Sequence, residues 1–401
     1  MKKILVLGGA ANQVPLIESA KQEGLHVVLC DWTTTNPGIA LADRHYQVST
    51  MDREAVLNVA RSEHVDGVVT NSEPAAANAA YVAESLGLPG NPLAAIELLT
   101  SKFAFRELQD RLGLYAPRHF ICRSCDELLL HARTMSSTYV VKPVRSSGSR
   151  GTTRFDGYDE EGLRQAWADC AEFSRDRCCA IEEYVPKASS EIIDGDVFVL
   201  GDEILWDGLF ASARSPLYPL LPMTQIYPLR IGASALETVK DTLRRLFKGA
   251  GIVWGQHNIE AYFTPEGHLF VIEINPRQGG CRIPMRILEQ SGVDMNRLLV
   301  MTAVGDSTYY NSISHLRRRG MFLTSHPVFS PVAGVFGGVD ISPEIGRYAL
   351  RVEYVRKIGE RIEACRNATG LLAFVCLEFP DAATQDAFRG RYEELLRPVV
   401  K

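Results

Sequence analysis

Between Gln256 and Arg277 the chain reads QHNIEAYFTPEGHLFVIEINPR, two alternating apolar and polar runs on either side of Thr264-Pro265-Glu266-Gly267. The central four suit a tight turn, so the stretch predicts an antiparallel hairpin. Side chains in a strand repeat every second residue, and opposite partners share a face. With Phe263 opposite His268, Asn258 faces Glu273 and Glu260 faces Val271. Asn258, Glu260, Glu273 and Asn275 then lie on one surface, with the Glu260 and Glu273 Cβ atoms diagonal neighbours about 7 Å apart. The apolar neighbours Phe270, Val271, Ile272 and Ile274 argue against an exposed sheet and for a half-buried one.

Two acids on a half-buried face repel unless a positive charge offsets them. Carboxylate and amide oxygens select a hard ion, and Mg²⁺ that keeps some water and bridges phosphates fits that donor set. Arg277, two positions beyond Asn275, extends the same line of groups; a fixed guanidinium there can stabilise charge on a phosphoryl group in transfer. Arg282, after Gly279-Gly280-Cys281, can reach a substrate carboxylate, although an arginine in a glycine-rich loop is also an ordinary surface group.

The remaining chain sets wide limits. Its 401 residues, 46% hydrophobic and 23% charged, are too many for one core and predict two or three subdomains. A net charge of −5 gives no basic field for nucleic acid or an anionic membrane; the basic run His315 to Gly320 reads as a solvated turn. The opening MKKILVLGGAANQ breaks at Gly8-Gly9, too early for a signal peptide, and no apolar run approaches the roughly 20 residues of a membrane span. A cytoplasmic protein is the expectation. Nine irregularly spaced cysteines suggest reduced thiols. Cys122 and Cys125 form a C-x-x-C, but a zinc site needs a second ligand pair that neither Cys178-Cys179 nor any histidine pair supplies.

The N-terminal part alternates strand and helix: KILVLGG, QVPLIESAKQEG, LHVVLCD, DREAVLNVARSEH, VDGVVTN and AAANAAYVAESLGLPG predict a small parallel sheet over about residues 1–95. A strand, a glycine turn, a helix and then Asp31 at the next strand end also match the dinucleotide-binding plan, but GGAANQ lacks its third spaced glycine. From Asn91 a helical pair leads through APRHF to further strands and helices. The part after about Thr302 predicts two β-like runs, RVEYVRKIG and GLLAFVCLEF, and a closing helix, DAATQDAFRGRYEELLRPVV.

Two more constellations carry chemistry. In VVKPVRSSGSRGTT a strand delivers Lys142, and Ser146, Ser147, Gly148, Ser149, Arg150 and Gly151 make a small turn whose N–H groups can converge on an anion. It is not a P-loop, because the lysine precedes the glycines; alone it reads equally well as a surface loop. In AIEEYVPKASSEIIDGDVFV the strand end Glu182, Glu183, Tyr184 and Val185 offers backbone donors and acceptors of the kind that orient an adenine base. Glu191 follows one loop later, where a carboxylate can accept from ribose hydroxyls.

Taken in order, Lys102 in TSKFAFRELQDRLGLYAPRHF, Lys142 in VVKP, SSGSRGTT, IEEYV, Glu191 in SEIIDG, Glu260 in HNIEAYF and EINPR resemble the ATP-grasp superfamily of carboxylate–amine ligases over roughly residues 1–300. NPRQGGCRIP is nearest in look to the L-amino-acid ligase and carbamoyl-phosphate-synthase-like branch. The resemblance implies an α/β and α+β architecture: an N-terminal open parallel α/β domain (1–95), an ATP-grasp domain (96–300) with a small central lid (about 118–185) and a C-terminal lobe, and an α+β capping region (301–401).

It further implies that Lys102 and Lys142 bind ATP phosphates under the lid turn containing Ser147, Gly148, Ser149 and Gly151. Glu182, Glu183, Tyr184 and Val185 would meet adenine, and Glu191 would meet ribose. Glu260, Glu273 and Asn275 would ligate two Mg²⁺ ions, or Mn²⁺ in their place, and Arg277 and Arg282 would contact the transferred phosphate and a substrate carboxylate. A small carboxylate would be phosphorylated and captured by an amine, and a homodimer is the common family arrangement. The loop before Glu191 is longer than the family pattern and lacks its glycine. Two other readings stay open: nucleotide binding without ligation, and an NAD-dependent oxidoreductase using the N-terminal sheet.

Overall fold

The computed structural model describes residues 1–145, 151–174, 177–214, 222–280, 293–313, 322–365 and 368–401. Ser147, Gly148 and Ser149 of the glycine-rich turn, Arg282 and the basic run from His315 lie outside the described residues.

Strands β1 (Lys3–Leu7), β2 (His26–Cys30), β3 (Arg44–Tyr46) and β4 (Gly67–Val69) pair in parallel in the order β3-β2-β1-β4. Runs such as KILVL are apolar on both faces because helices cover both. α1 (Val14–Gln22) packs on one face and α2 (Arg53–Glu63) with α3 (Glu73–Leu86) on the other. The helix Met295–Ala303 returns from far along the chain to complete the first face. Gly67 admits it, since a Cβ there would stand 2.5 Å from the Ala303 carbonyl oxygen. At the end of β2 the Asp31 carboxylate turns back onto the first loop and accepts from Gly9 N at 2.7 Å, Asn36 Nδ2 at 2.7 Å and Thr33 N at 2.9 Å. An acid so engaged is not free to hold a ribose, which removes the feature the dinucleotide reading leaned on.

A second, antiparallel sheet contains β5 (His119–Cys122), β6 (Thr138–Pro143), β7 (Thr153–Asp156) and β8 (Cys179–Glu183) in the order β5-β8-β6-β7. The helices Cys125–Ala132 and Glu160–Phe173 cover one face, burying Cys122, Cys170 and Cys179 with Leu128, Val141 and Ile181. Cys122 is thus part of an apolar core, not one half of an exposed ligand pair.

The largest sheet is antiparallel, with β9 (Glu191–Leu200), β10 (Glu203–Arg214), β11 (Pro222–Tyr227), β12 (Trp254–Phe263), β13 (Leu269–Asn275), β14 (Phe322–Val328), β16 (Ala349–Tyr354) and β18 (Ala373–Phe379) in the order β13-β12-β9-β10-β11-β14-β18-β16. The helices α4 (Leu93–Leu99), α5 (Lys102–Arg111) and Ala233–Ala250 cover one face of its first strands, burying Ile259, Ala261, Val271 and Ile274 against Phe105, Leu108 and Leu243. The other face is left to the site.

The C-terminal strands β14, β18 and β16 therefore extend the central sheet rather than forming a separate tail. A smaller sheet, β17-β15-β19, joins β15 (Gly334–Ile341), β17 (Arg361–Ile362) and β19 (Leu396–Val400). The predicted closing helix is instead two short helices, Ala382–Asp386 and Tyr392–Leu395, followed by β19. Gly390, with φ +77°, breaks the run, and Pro398 is tolerated because β19 lies at a sheet edge. Among the described residues no helix is long and apolar enough to cross a membrane.

Candidate active site

The hairpin forms, but its register differs from the one expected. Leu269, not His268, pairs with Phe263, and a bulge follows: Ala261 pairs with Val271 while Glu260 pairs with Glu273 and Asn258 with Asn275. One residue is gained at the turn and one at the bulge, so the parity of the strand survives. The four polar side chains still share a face, and the two carboxylates become direct rather than diagonal neighbours. Ile272 is the extra residue. Because of it, Phe270 and Ile272 lie on the site side with Tyr262, Val185 and Ile192, and only Leu269, Val271 and Ile274 anchor the opposite core.

The same face continues onto β9, where Asp194 pairs with Glu260 and Asp196 with Asn258. Sequence reasoning stopped at Glu191 and missed both aspartates, although the spacing of Asp194 and Asp196 around Gly195 is the alternation that put the hairpin acids on one face. Gly195 permits their crossing with β10: a Cβ on it would stand 2.2 Å from the Gly208 carbonyl oxygen. Asp196 is buried and acts as a fixed acceptor for Gly279 N (3.0 Å), Asn258 Nδ2 (3.1 Å) and Gln256 Nε2 (2.9 Å). It thereby docks the loop that carries Arg277.

Charge on this face is partly balanced by cations. Arg214 Nη2 lies 3.0 Å from Glu260, Lys102 Nζ 4.0 Å from Glu273, and Asn275 Nδ2 donates to Glu273 at 2.8 Å. Burial pushes the Glu260 carboxyl up to about 7, with Arg214 opposing and the Glu273 and Asp194 charges adding. Burial also raises Asp194 and Asp196, each to about 6. Glu273 differs: burial works to raise it, but Lys102, the Asn275 hydrogen bond and Arg277 together hold it below the usual range. Among the described residues no group of three or more His, Cys, Asp or Glu side chains stands ready to hold a metal by itself. The hard oxygens of Glu260, Glu273 and Asn275 nevertheless fit an ion whose remaining ligands are water and phosphate.

On the lid side, Lys142 and Glu182 are buried and in direct contact, and Arg106 Nε lies 3.1 Å from the second Glu182 oxygen. Burial works to raise Glu182, yet the Arg106 and Lys142 charges hold it down at about 2. Glu182 N–H and C=O aside, its side chain is committed to these cations. Beyond it, Glu183 N donates to Arg118 O at 2.9 Å and Tyr184 N to Thr138 O at 3.0 Å, while Val185 O accepts from Tyr262 OH at 2.7 Å. Gly151, with φ +69°, sits against Pro143 at the far end of the glycine-rich turn.

Lys102, Lys142, Glu182, Glu260, Glu273 and Asn275 are thus brought together between lid and sheet. Arg277 stands beside them, its Nη2 2.8 Å from Glu73 at the start of α3. Glu191 is engaged elsewhere: both its oxygens accept from Arg389 Nη1, at 2.8 and 3.0 Å.

A parallel α/β domain, a four-stranded lid and an acid-faced antiparallel sheet with lysines on its lid side make up the ATP-grasp fold. The chain is similar to the formate-dependent phosphoribosylglycinamide formyltransferase of Bacteroides thetaiotaomicron, 28% identical over 290 residues that span 69% of this chain and 71% of that protein. Among solved structures, the L-amino acid ligase from Bacillus licheniformis superposes with a TM-score of 0.81 at 19% identity, covering 100% of this chain and 99% of that one. The biotin carboxylase domain dimer of the Hydrogenobacter thermophilus 2-oxoglutarate carboxylase, solved with MgADP and bicarbonate, superposes with a TM-score of 0.71 at 18% identity, covering 100% and 91%. No protein-family model matches the chain.

Proposed function

We propose that this chain is an ATP- and Mg²⁺-dependent carbon–nitrogen ligase that activates a small, amino-acid-like carboxylate as an acyl phosphate and passes the acyl group to an amine. The observation that carries the reading is the direct pairing of Glu260 with Glu273 across the hairpin, with Lys102 within 4.0 Å of Glu273. In this reading Lys102 and Lys142 bind phosphates, the Glu183 to Val185 segment and Glu182 border the adenine, and Gly151 closes the lid turn. Mg²⁺ held by Glu260, Glu273 and Asn275, two ions being proposed, would neutralise the charge on the transferring phosphate when bound.

A carboxylate oxygen of the substrate attacks the γ-phosphorus as its bond to the ADP oxygen breaks. The amine nitrogen then attacks the acyl carbon, loses a proton, and phosphate leaves. The chain's own part is to align the reactants, exclude water and offset charge, so it needs no nucleophile. Arg277, held by Glu73, is proposed to meet the phosphoryl group, and Arg282 a substrate carboxylate. The similarity to an L-amino acid ligase along the whole chain supports an amino-acid-like acid. A biotin carboxylase domain dimer among the structural neighbours supports a homodimer.

The test is ADP release from Mg-ATP over pooled amino acids and small carboxylates, with and without added amines. Glu273→Gln and Arg277→Ala should each reduce turnover by at least about a hundredfold while the far-UV spectrum is unchanged. Near-normal turnover in either would remove these residues from the site, and binding of NADH but not Mg-ATP would sink the ligase reading.

A further inference from the structure

Arg106 is a fully buried arginine that neither the sequence motifs nor the proposed mechanism uses. It lies one turn along α5 from Lys102, so the two cations share a helix face. Four of the five N–H donors of its guanidinium are engaged. Nη1 donates to Val271 O at 3.1 Å and Gln109 Oε1 at 2.7 Å, Nη2 donates to Ile272 O at 2.9 Å, and Nε donates to Glu182 at 3.1 Å. Its plane also lies over the Phe270 ring, with 4.6 Å from Cζ to the centroid.

The two carbonyls are the informative partners. Consecutive carbonyls of a regular strand point to opposite sides, so one guanidinium cannot reach both. Here it does, because Val271 and Ile272 are the residues at which the β13 register shifts. β13 is also the edge strand of its sheet, so carbonyls there have no further strand to receive them. A buried carbonyl without a donor is costly. Arg106, helped by Gln109 Nε2 on Val271 O at 3.0 Å, supplies those donors.

We infer that Arg106 is the positioning residue of the metal face: its fork holds the Ile272 bulge, which turns Glu273 to face Glu260, and its Nε ties that bulge to Glu182, the partner of Lys142. The strand that carries Glu273 is thereby held by a direct fork on α5, and the strand that carries Glu182 by a single further hydrogen bond. A lysine cannot replace it, because one ammonium cannot span two carbonyls and a carboxylate in a fixed plane. The inference rests on the reading of this face as a Mg–nucleotide site.

The test uses the whole protein with Mn²⁺ as the probe ion and ADP as the nucleotide. Mn²⁺ affinity is measured by electron paramagnetic resonance with ADP present, and ADP affinity is measured separately with metal chelated. Arg106→Lys should weaken Mn²⁺ by at least about tenfold, the scale typical of groups that orient metal ligands, while metal-free ADP affinity changes several-fold less. Equal losses for both ligands, or none for Mn²⁺, would overturn the inference. Should Arg106→Lys lose its cooperative melt, Gln109→Leu, which removes one donor from Val271 O, is read in the same way, and unchanged Mn²⁺ affinity there would overturn it too. Wild-type protein that binds no Mn–ADP would instead bring down the underlying site reading.

Discussion

Arg214 Nη2 stands 3.0 Å from the carboxylate of Glu260, one of the two paired acids proposed to hold Mg²⁺. The guanidinium lowers the Glu260 pKa against the effects of burial and of two neighbouring acids. A metal bound at the proposed site would have to compete with it. Arg214→Met should therefore tighten Mn²⁺ binding to the nucleotide-free protein by about fivefold, the equivalent of about 1 kcal/mol for a partly screened pair. Paramagnetic titration above pH 8, where Glu260 is ionised, is the measurement; weaker binding would mean that Arg214 supports the metal instead.

Lys142 should impose a limit on nucleotide binding at alkaline pH. Burial pushes its ammonium down to about 8, the Glu182 charge opposing. A depressed lysine loses its proton as pH rises through that value, and a neutral amine offers phosphate no charge. ATP affinity should hold from pH 6.5 to 7.5 and fall roughly tenfold for each unit above pH 8 until another group takes over. Calorimetry at pH 8 in two buffers of different ionisation heat should show net proton uptake on binding, and Lys142→Arg should abolish it.

Gly279 should resist even alanine. A Cβ would stand 2.8 Å from Asn258 Nδ2 and 3.1 Å from Asp196 Oδ1, the acceptor that holds the Gly279 N–H. Displacing that loop misplaces Arg277, so Gly279→Ala should lower the turnover number by about a hundredfold with a smaller change in the Michaelis constant for ATP. A turnover number within a factor of two of wild type would show that the loop is not held through Asp196.

Glu191 and Arg389 should couple in stability. Both side chains are only partly buried, so the pair is worth about 1 kcal/mol or less. In a double-mutant cycle by urea unfolding, Glu191→Gln and Arg389→Met should together cost less than the sum of the two alone. If Glu191→Gln raises the ATP Michaelis constant tenfold while Arg389→Met does not, the carboxylate serves ribose rather than the C-terminal strands.

What the chain discloses by inspection follows from period and parity. Asn258, Glu260, Glu273 and Asn275 share a face for any register of the same parity, so the composition of the acid face was legible although both details of its pairing were not. The bulge at Ile272 leaves no local mark, since the donors that stabilise it come from Arg106, over 160 residues away in the chain. Asp194 and Asp196 were passed over although their spacing is that of one strand face; only the fold shows that Gly195 between them serves a close strand crossing and that they lie beside Glu260 and Asn258. Glu191 was placed by a family pattern whose loop length this chain does not keep, and only the fold brings Arg389 to it. The closing helix was misread because amphipathic spacing through Ala382–Leu395 outweighed the single glycine that interrupts it.

The addition of β14, β18 and β16 to the sheet that carries the acids has a consequence for the solution behaviour of shortened chains. Ended near residue 300, the protein would keep every proposed ligand but present the outer edge of β11, a row of unpaired N–H and C=O groups that another copy could extend. The last hundred residues thus shield the β11 edge and move the end of the sheet out to β16, and their removal should yield self-association before it yields any loss of nucleotide binding.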